Sequence, residues 1–94
     1  MNNLSKEIAT WRELKGFITD WDNMPEKLML VVTELSEAME AYRKNDIENF
    51  NEEIADTFIR LLDICGSIDI DIESEIKKKM EINKERPHRH GKNC

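Results

Sequence analysis

Residues 25–66, PEKLMLVVTELSEAMEAYRKNDIENFNEEIADTFIRLLDICG, decide the fold. Leu28, Val31, Val32, Leu35, Met39 and Tyr42 recur at steps of three and four, the period of a helix with one apolar face. Pro25 suits a first helical turn, where its missing N–H would have no partner anyway. Arg43 and Lys44 suit the negative end of the helix dipole. A second helix is expected to start between Asp46 and Asn49, with Ile47, Phe50, Ile54, Phe58, Leu61, Leu62 and Cys65 as its stripe and Gly66 as its terminator. The gap from Arg43 to Asp46 is short, so the two helices are expected to pack as antiparallel neighbours, both stripes facing a core.

Two further helices flank this pair. Upstream, Ile8, Trp11, Leu14, Phe17 and Ile18 predict a helix from about Leu4 to Phe17, capped by Ser5 and weakened at its end by Gly16. Thr19 to Asn23 reads as a connection. Downstream, SIDIDI (Ser67–Ile72) alternates like a strand but has no partner strand, and reads as a second connection. Asp71 is placed to cap a last helix, with Ile72, Ile76, Met80 and Asn83 on one side and Pro87 as its stop. The expectation is an all-α four-helix bundle, one domain over residues 1–94 with a basic tail from about 84 to 94. Three glycines and two prolines supply too few turns for a sandwich or barrel.

At 94 residues, 39% apolar and 36% charged, the chain is one small domain, too patterned for disorder and too polar for a membrane protein. No apolar run approaches the roughly 18–20 residues of a membrane span, and MNNLSKEIATWRE has no signal-peptide core. Cytoplasmic location is expected, with Cys65 and Cys94 as free thiols; no ligand spacing suggests structural zinc. Residues 1–76 carry a charge of −11 and residues 77–94 carry +5. Such an acidic body is a poor partner for duplex nucleic acid. A core this small favours self-association, and Met29, Ile64, Ile68 and Ile70 are candidates to face a second copy.

Two carboxylate pairs carry the chemistry. Glu34 and Glu37 lie three apart on one predicted helix, and Glu53 and Asp56 three apart on the next. Residues at that spacing share a helix face. At about 1.5 Å rise per residue, an antiparallel hairpin sets both pairs at similar heights. Twenty acids make such spacings common on solvated faces. Position separates these four: Glu34 is embedded in LMLVVTEL and Asp56 in EEIADTFIRLL, at the flank of the apolar stripes. Converging carboxylates repel unless a cation joins them, and hard oxygen ligands favour Mg²⁺, Mn²⁺ or Ca²⁺. Arg60 and Asp63 continue the polar stripe of Glu53 and Asp56; Arg60 is placed to pair with an acid or to reach a ligand. Trp11 and Phe17 read as core residues. Trp21, in the polar connection TDWDN, is placed to line a pocket mouth. His88 and His90 lie beyond Pro87, so neither di-iron E-x-x-H pairs nor a nucleophile–histidine pair is supported.

The segments KLMLVVTELSEAMEAYR, NEEIADTFIRLLDICG and KKKMEINKERPHRHGK together resemble the MazG-like all-α nucleoside triphosphate pyrophosphohydrolases, over roughly residues 20 to 92. The family pattern is E-E-x-x-E, then E-x-x-D after a variable gap. Glu34 and Glu37 match its second and third acids, and Glu53 and Asp56 match E-x-x-D. Thr33 stands where the pattern has its first Glu, which removes one possible ligand.

The resemblance implies a helical bundle assembled as a homodimer or a dimer of dimers. It implies Mg²⁺-dependent cleavage of an NTP or dNTP to the monophosphate and pyrophosphate, with Mn²⁺ as a possible substitute. Glu34, Glu37, Glu53 and Asp56 would hold the metal, and Glu37 or Glu53 would orient or deprotonate the attacking water. Lys79, Asn83, Arg86 and Lys92 would meet the phosphates, with the HGK tail closing over them. The alternative it leaves open is a catalytically weak or inactive helical oligomer that binds nucleotide as a regulatory partner.

Overall fold

The structure is a computed structural model that describes residues 1–85. Four helices follow one another: α1 (Asn2–Leu14), α2 (Met24–Arg43), α3 (Ile47–Ser67) and α4 (Ile72–Lys84). No strand occurs among the described residues, so SIDIDI closes α3, turns and opens α4. Pro87, the expected stop of α4, and the basic tail from residue 86 onward lie outside the described residues.

Three helices end the same way. After α1, Gly16 takes φ +89; after α2, Asn45 takes +56; after α3, Asp69 takes +59. Each left-handed residue reverses the chain so that the next N–H folds back: Phe17 to the Arg12 carbonyl, Asp46 to Ala41, Ile70 to Cys65. These bonds satisfy carbonyls that a helix end would otherwise leave open. Asp46 and Asp71 cap the starts of α3 and α4, accepting from the backbone N–H of Asn49 and of Ser74 at 3.0 and 3.2 Å.

Two expected helix ends are corrected. Ser5 does not cap α1, which begins at Asn2; it sits inside the helix, 1% exposed, with Oγ unpaired. Gly66 does not end α3, which continues to Ser67. It lets α1 approach: a Cβ there would overlap the Ser5 carbonyl oxygen and crowd the Ala9 side chain.

α3 is the central element, with α1 and α2 packed against it. The α2 seam facing it holds Met24, Val31, Glu34, Ala38 and Ala41, all buried. Met24, Val31 and Ile64 form the core, with Ile68 packed against them. Ile64 is therefore a core residue of the single chain rather than a surplus one, and Cys65 is likewise buried.

The stripe Leu28, Val32, Leu35, Met39 and Tyr42, expected to face a core, is between 48% and 68% exposed. The physical reason is rotation: α2 turns its small residues, Ala38 and Ala41, toward α3, which leaves the bulkier stripe on its flank. Trp11 and Phe17, also expected inside, are 51% and 54% exposed. Trp11 lines an apolar groove between α1 and α3 with Leu4, Ile8 and Phe58. Phe17 lies under the Arg12 guanidinium, 4.9 Å from its ring centre. α4 buries no residue; it is tied to α1 through Asn2, whose amide donates to Asp71 at 2.7 Å.

Candidate metal centre

The α2–α3 hairpin sets its charged residues opposite one another in antiparallel order. Glu34 occupies a seam position of α2, in step with Val31, Ala38 and Ala41, so its carboxylate is directed at α3. There Arg60 Nε donates to Glu34 Oε2 at 2.8 Å. One helical turn on, Glu37 meets Glu53. Glu34, Glu37 and Glu53 each offer one carboxylate oxygen, and these oxygens lie within 4.8 Å of one another.

Burial grades across this group. Glu34 is buried, Glu53 half-buried and Glu37 exposed. Glu53 Oε1 is closed to solvent with no hydrogen-bond donor reaching it among the described residues. Its neighbour Glu37 is also an acceptor, so only a proton or a metal ion between the two makes an attractive contact. Desolvation accordingly pushes the Glu53 carboxyl up to about 7 from 4.5, helped by a shared hydrogen bond with Glu37 and by the charges of Glu37, Asp56 and Glu34.

Asp56 adds its field to Glu53 but stands outside the group of three, exposed on α3. Thr33 turns its hydroxyl back to the Met29 carbonyl at 3.1 Å, so it offers the group no ligand. Lys79 is exposed on α4; Asn83, also on α4, lines a separate hollow with Lys77, Met80, Glu81 and Lys84. Trp21 is 72% exposed in the connection before α2. Arg86 and Lys92 lie outside the described residues, as do His88, His90 and Cys94.

Asp63 leaves the polar stripe on which spacing placed it. Thr19 Oγ1 donates to its Oδ2 at 2.6 Å, Ser67 Oγ to its Oδ1 at 3.3 Å, and Arg12 Nε stands 3.3 Å from Oδ2. This buried clasp ties the 15–23 connection to α3. Thr19 and Arg12 lie 44 and 51 residues away from Asp63 along the chain, too far for any spacing rule to pair them with it.

No helix among the described residues is long and apolar enough to cross a membrane. Comparison of the chain with protein-family models, with curated proteins and with solved structures finds no match.

Proposed function

We propose that the protein is a MazG-like nucleotide pyrophosphohydrolase that uses Mg²⁺, or Mn²⁺ in its place, to split an NTP or dNTP into the monophosphate and pyrophosphate. The observation that carries this reading is the carboxylate group itself: three acids from two helices with oxygens within 4.8 Å, one shielded and unpaired. Repulsion among them is relieved by a divalent cation, and all-oxygen donors suit a hard one. The order of the acids along the chain, which resembles the family pattern, supplies the choice of substrate class.

Glu34, Glu37 and Glu53 would hold the ion, with Asp56 at its margin. The ion would supply charge neutralisation at the phosphate oxygens and a more acidic water. Glu37, the most exposed of the three, or Glu53 would orient or deprotonate the attacking water. Lys79 and Asn83, which lie outside the carboxylate group in the single chain, and Arg86 and Lys92, beyond the described residues, are phosphate contacts proposed on the resemblance alone. Trp21 is the proposed contact at the mouth of the site.

A second copy of the chain belongs to this reading. Covering the α2 stripe recovers about 1 kcal/mol for each half-exposed side chain, or on the order of 5 kcal/mol for five. Association itself costs roughly 4–15 kcal/mol. The stripe alone is therefore marginal, and a homodimer interface would also need the exposed Trp11, Phe58 or Met80.

The test is a panel of NTPs and dNTPs with Mg²⁺, scored for pyrophosphate. The expected result is metal-dependent release, lowered about a hundredfold or more by Glu37→Gln and by Asp56→Asn. Nucleotide binding without turnover on any substrate would favour a regulatory binding protein instead. The geometric feature behind that second reading is the Thr33 hydroxyl, turned away from the acids.

A further inference from the structure

Among the described residues, Arg60 is the cation paired with the acid group. Its guanidinium meets Glu34 through Nε alone, and its terminal nitrogens have no protein acceptor among the described residues. The Glu34 side chain is 11% exposed and that of Arg60 is 27%. A buried carboxylate thus has one oxygen engaged by Nε, while the more exposed side chain of the pair keeps the rest of its planar N–H fork unengaged. That fork matches the geometry of a phosphate group.

From this, and resting on the metal-site reading above, we infer that Arg60 makes the site select a metal–polyphosphate complex over a bare divalent ion. A bare cation entering beside Glu34 meets a resident positive charge and a carboxylate already engaged. Both effects weaken its binding. A cation that arrives carrying phosphate brings negative oxygens for the unused N–H donors, so the same guanidinium becomes attractive. Arg60 is therefore a specificity-determining residue whose effect changes sign with the ligand. A residue that only braced Glu34 would help both ligands, and a residue that only solvated the surface would help neither.

The experiment compares the full-length chain with Arg60→Gln and Arg60→Lys by titration calorimetry, after circular dichroism has shown each to be helical. One arm titrates Mn²⁺ alone. The other titrates inorganic tripolyphosphate in excess Mg²⁺. Arg60→Gln is expected to bind Mn²⁺ about three- to tenfold more tightly, the effect of one partly screened charge. It is expected to bind tripolyphosphate about tenfold or more weakly. Arg60→Lys keeps the charge and loses the fork: its Mn²⁺ affinity should stay within about twofold of wild type while tripolyphosphate binding falls. Should Arg60→Gln not fold, the lysine variant alone decides, because equal tripolyphosphate binding by it and wild type overturns the inference. Weaker or unchanged Mn²⁺ binding by Arg60→Gln overturns it while leaving the metal site standing. If neither wild type nor variant binds Mn²⁺ at millimolar concentration, the metal-site reading falls and takes this inference with it.

Discussion

Glu53 is the residue whose chemistry is most displaced from the ordinary. Its folded-state pKa, about 7 against 4.5, means that the native chain holds a proton between those values that the unfolded chain has released. Stability from this group is therefore full below about pH 4.5 and declines as pH rises through 7. Urea midpoints measured from pH 5 to 8 should fall across that window in wild type and lose that fall in Glu53→Gln. A divalent ion must displace the same proton. Mn²⁺ binding at pH 6 should release close to one proton, shrinking towards none at pH 8.5, as calorimetry in buffers of different ionisation enthalpy would report. Gly66 makes a prediction of another kind. Gly66→Ala forces α1 away from α3 and should lower stability by about 1–3 kcal/mol in denaturant unfolding, with Mn²⁺ affinity little changed.

At the scale of elements, much was legible. The 3.6-residue period gave α2 and α3, the short gap between them gave an antiparallel hairpin, and the hairpin gave the meeting of Glu34, Glu37 and Glu53. Asp71 was recognisable as the α4 cap. The helix ends were harder, because a glycine is the obvious stop and only one of the three left-handed stops, Gly16, is a glycine. Asn45 and Asp69 serve instead, since short polar side chains tolerate that conformation. Asn45→Ala should cost about 1–2 kcal/mol, and Asn45→Gly should not, in thermal or urea unfolding. Which face of α2 turns inward was not legible: the stripe of largest residues and the stripe holding Ala38 and Ala41 both have helical spacing. Packing distance chose the smaller one. The Arg12–Asp63–Thr19 clasp left no local signal at all. At the start of α4, Asp71 is held below the usual carboxylate range by the Asn2 amide and the Ser74 N–H. Its contribution is present above about pH 3.8 and is lost as acid titrates it, opposite in slope to that of Glu53.

The whole molecule has more apolar surface than its own core uses. α1, α2 and α3 share a small core, α4 adds no buried residue, and the five-residue α2 stripe stands half open. Light scattering should report a mass of at least two chains for wild type, and Leu35→Arg combined with Met39→Arg should reduce it to one. A wild-type monomer at micromolar concentration would remove the second copy from the account without touching the acids. The acids are reached most directly by crystals grown with Mn²⁺ and measured for its anomalous scattering. A peak within bonding distance of Glu34, Glu37 and Glu53 together is the expected result. No peak among those three carboxylates at millimolar Mn²⁺, with their oxygens turned apart, would contradict it.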